Sequence, residues 1–319
     1  MKKNILIAGG AGFIGTNLCY KLIKEGHTVI CIDNLYTGFM KNIEKFLSHP
    51  NFIFLQEDIK KIGFWQKIHA LGLHIDEIYN LACPASPPAY QKDPMFTIKT
   101  SINGAINLLG IAKYFNAKYL QASTSEVYGD PLEHPQRESY NGNVNIIGPR
   151  ACYDVSKRMA ETICYEYKRM GVDVKIVRIS NTFGNFMDKD DGRVISNFIC
   201  QALENKPITI YGTGLQTRSP CYVKDLINAL CKMMESEEFG PINIGNDVEF
   251  SIKEIAWMVL DFIPESNSVV VHKDLPQDDP KRRKLDLTRA RTLLNYEPQI
   301  DFKSGLKKTI EHFREVLNK

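Results

Sequence analysis

Two short stretches carry side chains whose types and spacing can do chemistry: Ala122-Ser123-Thr124-Ser125-Glu126-Val127-Tyr128-Gly129 and Tyr153-Asp154-Val155-Ser156-Lys157. A Tyr and a Lys four positions apart on a helix lie on one face, a turn apart, so the ammonium can sit near the phenol. A free phenol has a pKa near ~10, too high for a base at neutral pH. A neighbouring Lys and a second nearby cation would both favour the phenolate, and a shift of ~3 units corresponds to roughly 4 kcal/mol. Ordinary helix-surface packing also produces this spacing, so the elements around it must decide what it means.

Those elements begin at the N-terminus. Asn4-Ile5-Leu6-Ile7-Ala8 reads as a short strand buried on both faces of a parallel sheet. Gly9-Gly10-Ala11-Gly12-Phe13-Ile14-Gly15 follows at once, and an amphipathic helix is predicted from about Phe13 to Lys24. Strand, glycines and helix in that order make a turn tight enough to bring backbone N–H groups to a pyrophosphate at a helix N-terminus. The next strand, Thr28–Ile32, ends in Asp33, 23 residues after Gly10. A carboxylate there accepts hydrogen bonds from a ribose 2′-hydroxyl and repels a 2′-phosphate. No Arg or Lys lies between Asp33 and Met40 to hold a 2′-phosphate, so the expected cofactor is NAD rather than NADP. Its oxidised nicotinamide ring would be the second cation beside Tyr153.

The alternation continues through strands at Phe52–Leu55, Ile78–Ala82, Lys118–Ala122 and Asp173–Ile179. Asp58 falls in the loop where the adenine would lie, and the proline-stiffened loop Cys83–Pro88 leaves a strand's C-terminal end, where open α/β sheets hold ligands. Long helices are expected at Pro94–Phe115 and Cys152–Arg169. The second carries Val155, Met159, Ile163 and Tyr167 as an apolar stripe, with Tyr153 and Lys157 beside it. The fold class is therefore α/β, a doubly wound parallel sheet, over residues 1–180. Residues 181–319 read as a smaller mixed α/β substrate-binding lobe, with the chain crossing between the two. Helices at Arg193–Glu204, Val223–Ser236, Ile252–Ile263 and Leu287–Asn295 and short strands near Ile208–Tyr211 and Ile242–Ile244 are expected there. Its polar loops offer Arg193, Arg218 and Arg283 for a phosphate or carboxylate.

Composition excludes other classes. The chain has 319 residues, is 44% hydrophobic and 24% charged, and carries a net charge of +3, which implies neither nucleic acid nor an anionic membrane. Eight cysteines without a Cys-x-x-Cys and seven histidines without ligand spacing argue against a metal site and a disulfide scaffold, and point to a reducing cytoplasm. No apolar run approaches the ~20 residues of a membrane helix.

With these residues in place, the chain resembles the extended short-chain dehydrogenase/reductases that modify nucleotide sugars, and within them the branch that decarboxylates UDP-glucuronate. The stretches that carry the likeness are Leu81–Pro88, Ala122–Pro131, Ile147–Asp154, Asn181–Gly184, Asp191–Phe198, Gln216–Arg218 and Asp278–Lys284. The resemblance implies NAD held by Gly9, Gly12, Phe13, Ile14, Gly15, Asp33, Asn34, Thr37, Gly38, Asp58, Ile59, Leu81, Ala82, Tyr153 and Lys157. It implies a UDP-sugar substrate met by Pro84, Ser86, Asn181, Arg193, Tyr211, Gln216 and Arg218. Thr124, Tyr153 and Lys157 match the redox triad, and Glu126 and Arg283, with Ser125 beside them, match the decarboxylation site. Sugar-nucleotide 4,6-dehydratases are similar but carry Asp-Glu where this chain has Ser125-Glu126, and a serine hydroxyl is too weak an acid to protonate a departing hydroxyl. Epimerase, dehydratase or sugar-dehydrogenase chemistry on the same fold stands as the alternative, and a silent NAD-binding module as a more distant one. Ser219-Pro220-Cys221 departs from the family's Ala-Phe-Gln after Thr217-Arg218, and Leu285 from a Pro after Arg-Lys.

The chemistry implied is oxidation at the sugar C4, with Tyr153 as base, Thr124 bonded to the same oxygen and Lys157 keeping the phenol acidic. A 4-ketone turns the C5 carboxylate into a β-keto acid, which loses CO₂. Arg283 would help return a proton to C5, and Glu126 would orient that end. The family also pairs its two long helices across a dimer axis as a four-helix bundle, for which Ile102, Ile106, Leu109, Met159 and Ile163 are the expected apolar contacts.

Overall fold

The structure, a computed structural model, describes residues 1–318. Seven parallel strands form one sheet: β1 (Asn4–Ala8), β2 (Thr28–Asp33), β3 (Phe52–Gln56), β4 (Glu77–Asn80), β5 (Lys118–Thr124), β6 (Val174–Ile179) and β7 (Ile242–Ile244). Their order across the sheet is β7-β6-β5-β4-β1-β2-β3, each pair in parallel register. The order reverses between β1 and β4, which opens a crevice at the carboxyl ends of those strands.

Strand periodicity sorts the core into two layers. Ile5 and Ile7 of β1 pack on one face with Leu18 and Leu22 of helix α1 (Phe13–Lys24), and Leu226 and Leu230 of the helix Val223–Glu235 join them. Leu6 and Ala8 face the other side with Leu108, Leu109 and Ala112 of α2 (Pro94–Phe115) and Cys164 of α3 (Ala151–Arg169). Asp93 caps α2, its carboxylate accepting from Phe96 N at 2.9 Å, and Pro94 fills the first position, where a missing N–H costs nothing.

The rest of the chain builds a cover over the carboxyl edge. Ile208–Tyr211 pairs with Val270–Lys273, and Thr217–Arg218 sits between Phe250–Ser251 and Arg282–Arg283. The chain returns to the large sheet once, because Ile242–Ile244 adds β7 beside β6. The strand at Ile78–Ala82 is shorter than expected and ends at Asn80, since Leu81 N makes a last bond to Ala8 O at 2.9 Å before the chain turns out.

Three expectations are corrected. The helix Phe302–Leu317 has no counterpart in the sequence reading, although Asp301 caps it by accepting from Ser304 N at 3.0 Å and Phe302, Leu306, Ile310 and Phe313 line its buried face. The stripe of Val155, Met159, Ile163 and Tyr167 is not the buried side of α3. Met159 is exposed, whereas Tyr153, Ser156, Lys157, Ala160, Glu161 and Cys164 face inward. Buried polar partners decide this: Glu161 accepts from Ser123 Oγ of β5 and from Arg178 Nε and Nη2 of β6, the last two at 2.9 and 2.7 Å. Leu109 lies in the core and offers nothing to a partner subunit.

Candidate active site

At the end of β1 the chain turns through Gly9, with φ +80°, into α1. A Cβ on Gly9 would lie 2.9 Å from the Ala82 backbone, and one on Gly15 would lie 2.1 Å from Gly9 O. Bare glycine is therefore required for strand, turn and helix to meet this closely. Asp33 closes the far side of the turn. Its carboxylate accepts from Leu35 N at 2.8 Å and Ala11 N at 3.0 Å, and burial pushes it above the usual range while those two bonds pull it back. Gly38 packs against it, since a Cβ there would stand 2.8 Å from Asp33 Oδ2. Gly9, Gly12, Phe13, Ile14, Gly15, Asp33, Asn34, Thr37, Asp58, Ile59, Leu81 and Ala82 all line this first cavity. Pro84 and Ser86, expected to meet substrate, line it too and not the second cavity. A glycine cradle at a helix N-terminus with a buried carboxylate beside it has the chemistry to hold a pyrophosphate and a ribose diol, so these residues fit NAD.

A second cavity, of about 600 Å³, opens next to the first and shares Phe13, Ile14, Leu81, Cys83, Ala85 and Arg193 with it. Thr124, Glu126, Tyr153, Lys157, Asn181, Arg193, Tyr211, Gln216, Arg218 and Arg283 all line it. Thr124 ends β5, and its hydroxyl accepts from Glu126 N at 3.2 Å as the chain enters a short turn. Ser125 is turned inward on that turn, buried at 1% exposure, and lines neither cavity.

Tyr153 stacks on Tyr90, ring centroids 5.1 Å apart and planes 7° from parallel. Lys157 Nζ donates to Ala122 O at 2.8 Å and lies 5.8 Å from the centre of the Tyr153 ring. Burial holds the Tyr153 phenol well above its ordinary value, Cys83 and Glu126 add to this, and the hydrogen bond with Thr124 and the charge of Arg193 only partly oppose it. Without a cofactor, Lys157 commits one of its three N–H donors to a backbone carbonyl, and desolvation outweighs the charges around Tyr153.

Two residues after Thr124, Glu126 lies between two arginines. Arg150 Nη2 donates to it at 2.6 Å and Arg283 Nη1 donates to its second oxygen. Burial alone would raise this carboxyl, but Arg283 and Arg150 hold it down at about 2. Arg218 and Arg283 are not solvated loop residues, as a sequence reading would first suppose. They pair in parallel register on adjacent short strands, at 6% and 4% exposure. Arg218 is occupied by Asp279 Oδ2 at 2.9 Å and the Pro280 and Thr217 carbonyls. Arg283 keeps Nε and Nη2 buried without a partner. Two guanidinium nitrogens left buried without a protein acceptor carry an unpaid desolvation cost, while Nη1 reaches Glu126.

The geometry thus joins a glycine cradle that fits a dinucleotide to a second cavity lined by Thr124, Tyr153 and Lys157 and by Glu126 with its two arginines. The sequence profile of the NAD dependent epimerase/dehydratase family matches residues 5–245. The chain belongs to that family. It is 47% identical over 317 residues, 99% of this chain and 73% of the other, to UDP-glucuronic acid decarboxylase 1 of Xenopus tropicalis. A UDP-glucose 4-epimerase of Thermotoga maritima solved with UDP-glucose superposes with a TM-score of 0.91 at 28% identity, covering 98% of this chain and 99% of that one. A UDP-glucuronic acid 4-epimerase of Bacillus cereus, in complex with UDP-4-deoxy-4-fluoro-glucuronic acid and NAD, does so at 0.87 and 29%, with 98% and 99% coverage. Like its family, the chain uses NAD.

Within this family site, four residues escaped the reading of the sequence as functional: Tyr90, Arg150, Asp154 and Asp279. Arg150 stands three residues before Tyr153 in Gly148-Pro149-Arg150, which gives it a signal by position. Asp279 falls within Asp278–Lys284, one of the stretches that carry the family likeness. The departures at Ser219 and Cys221 are buried and line neither cavity, so they act behind Arg218.

Proposed function

We propose that this chain decarboxylates UDP-glucuronate to UDP-xylose through a 4-keto intermediate, with NAD regenerated in each turnover. The observation that carries the reading is the pair of arginines, Arg150 and Arg283, that converge on Glu126 in the lining of the cavity that also holds Thr124 and Tyr153. A hexuronate placed with C4 at Tyr153 has its carboxylate a few ångströms away, where a planar guanidinium can take both oxygens. The likeness to UDP-glucuronic acid decarboxylases, at 47% identity, supports the same reading.

NAD, held by the Gly9–Gly15 turn and Asp33, would supply a reversible hydride acceptor for C4 and a cationic ring beside the phenol. Tyr153 accepts the proton of the 4-hydroxyl, and Thr124 bonds the same oxygen. Because burial opposes ionisation of Tyr153, its phenolate needs that added positive charge together with Lys157. The 4-ketone draws electrons from the breaking C5–carboxylate bond, and Thr124 and Tyr153 hold the resulting enolate oxygen. Glu126, held at about 2, stays ionised and fixes the two guanidiniums instead of donating a proton. Arg283 then attends reprotonation of C5, directly or through water. Asn181, Arg193, Tyr211, Gln216 and Arg218 hold the nucleotide-sugar, and Ser125 acts only through the turn it anchors.

The same reading takes residues 1–180 and 181–319 as cofactor and substrate lobes, and the protein as a cytoplasmic homodimer. Eight free thiols suit a reducing compartment. Ile106 at 41% and Met159 at 45% exposure, with half-buried Ile102 and Ile163, offer an apolar face across α2 and α3 for an isologous contact. A monomer mass by light scattering at micromolar concentration would end the dimer claim. Incubation with UDP-glucuronate and NAD tests the activity: CO₂ and a UDP-pentose are expected, with no net NADH. Net NADH, a UDP-galacturonate product or no reaction would each overturn it.

A further inference from the structure

The segment 184–193 supplies Phe186, Asp188, Asp191 and Arg193 to the lining of the cofactor cavity. Its far end is tied to the opposite wall, where Arg193 Nη2 donates to Ala85 O at 2.9 Å. Its near end is held from two other directions. Asn17 of α1 donates through Nδ2 to Asn185 O at 2.9 Å. His312, on the helix Phe302–Leu317, accepts at Nε2 from the backbone N–H of Phe186 at 3.0 Å. The Phe186 ring lies beside the imidazole, centroids 5.7 Å apart, with Lys45 Nζ 4.7 Å from its centre.

Phe186 itself needs this support. Its φ of +71° is in the left-handed region, which a bulky side chain occupies only when its surroundings leave no alternative. A lone imidazole–amide bond therefore fixes a strained residue that begins the strap. The bond also has a definite proton requirement. Nε2 can accept only in the neutral ring with its proton on Nδ1, and protonation turns the acceptor into a donor facing a donor.

We propose that His312 is a positioning residue that latches the 184–193 strap over the cofactor cavity, so that protonating it loosens NAD. The groups facing the ring set the pH at which this happens. Burial comes first and lowers the pKa of His312, Glu315 on its own helix raises it, and Lys41 and Lys45 from the segment after β2 lower it again. The latch is thus closed at neutral pH and opens below the ordinary histidine value of ~6.5. None of this depends on the sugar chemistry, only on the cofactor cavity.

The test is NAD binding by calorimetry, without substrate, at about pH 8 and about pH 5, which bracket a histidine titration. His312→Leu should bind NAD roughly tenfold more weakly than the unaltered protein at the higher pH, the size of one lost buried hydrogen bond. His312→Gln, whose carbonyl can accept from Phe186 N–H, should bind within roughly threefold of it there and lose its share of the pH dependence. Asn17→Ala removes a tie that does not titrate, so it should weaken binding at both pH values and keep the original slope. Any titration of Asp33 is common to all four proteins and drops out of the comparison. If His312→Leu bound NAD normally at the higher pH, or His312→Gln kept the full pH slope, the latch would be refuted. Should His312→Leu fail to fold, His312→Gln and Asn17→Ala decide alone. A protein that shows the latch yet releases no CO₂ would refute the proposed activity and leave this inference standing.

Discussion

Two clusters that line the second cavity, the redox end and the carboxylate end of the proposed activity, are built in different ways. The first takes Thr124 from the tip of β5 and Tyr153 and Lys157 from α3, the next long helix, within 34 residues of chain. The second joins Glu126 to Arg283 across a sequence separation of 157, with Arg150 as the third member. The redox end is poor in opposing charge, so burial sets its chemistry and the Tyr153 phenol sits high. The carboxylate end is rich in it, so ion pairing overrides burial and Glu126 sits low. Two groups buried in one cavity therefore respond oppositely to desolvation because only one has paired cations. Under the proposed activity, the first end needs charge from the cofactor, whereas the second is charged in advance.

Substitutions that separate the two ends should show this division. The largest effect is expected at Tyr153→Phe, which removes the first base: CO₂ release should fall ~10²–10⁴-fold. No NADH absorbance should build up either, because nothing precedes the blocked step. Burst NADH from this variant would mean that the base lies elsewhere.

Arg283→Ala leaves the redox end intact. At saturating UDP-glucuronate, oxidation should continue while CO₂ release slows roughly 10- to 100-fold, the order of a lost bidentate charge-assisted pair. NADH should then accumulate on the enzyme and be visible by absorbance. Product formation at the unaltered rate would remove Arg283 from the mechanism.

Arg150→Ala should cost less, roughly tenfold in turnover, because Arg283 still pairs with Glu126. Its diagnostic effect is on the pH profile. Arg150 helps hold Glu126 at about 2, so without it the Glu126 carboxyl must rise and the acid limb of activity must move to higher pH. Arg150→Lys should restore part of that shift. An acid limb that stays put in Arg150→Ala would separate Glu126 from the arginine pair.

The smallest effect concerns stability at the seam between the two ends. Asp154 follows Tyr153 in sequence and faces Arg150 at 4.0 Å, with Oδ1 buried and unpartnered. Burial, then the like charge of Glu126, raise its carboxyl from 3.8 to about 7, and Arg150 only partly opposes them. The raised acid favours the folded state fully below the unfolded value of 3.8, and that contribution is lost as pH rises through about 7. Asp154→Asn keeps the neutral form permanently. It should raise the melting temperature by a few degrees, on the order of 1 kcal/mol, at about pH 8.5, and by much less at about pH 5. An equal change at both pH values would mean that the gain is not electrostatic.

Much of this molecule was legible in its residues, and the legible part is local. Periodicity and glycine spacing within single βα units define the parallel sheet, the turn at Gly9–Gly15 and the acid at Asp33, since each depends on backbone geometry over a few residues. The pairing of Tyr153 with Lys157 is local too. Their roles were less so, because an apolar stripe through Met159 and Tyr167 suggested a buried face that the Glu161–Arg178–Ser123 bonds turn outward. Tertiary structure alone decided which arginines are buried, that Ser125 faces away from the cavity, and that Lys157 donates one N–H to Ala122 O. It also brought His312 of an unforeseen helix to Phe186. The physical reason is common to all of these. Burial and charge pairing depend on which distant segments meet, and an arginine with two unpaired donors looks the same in sequence as one dissolved in water.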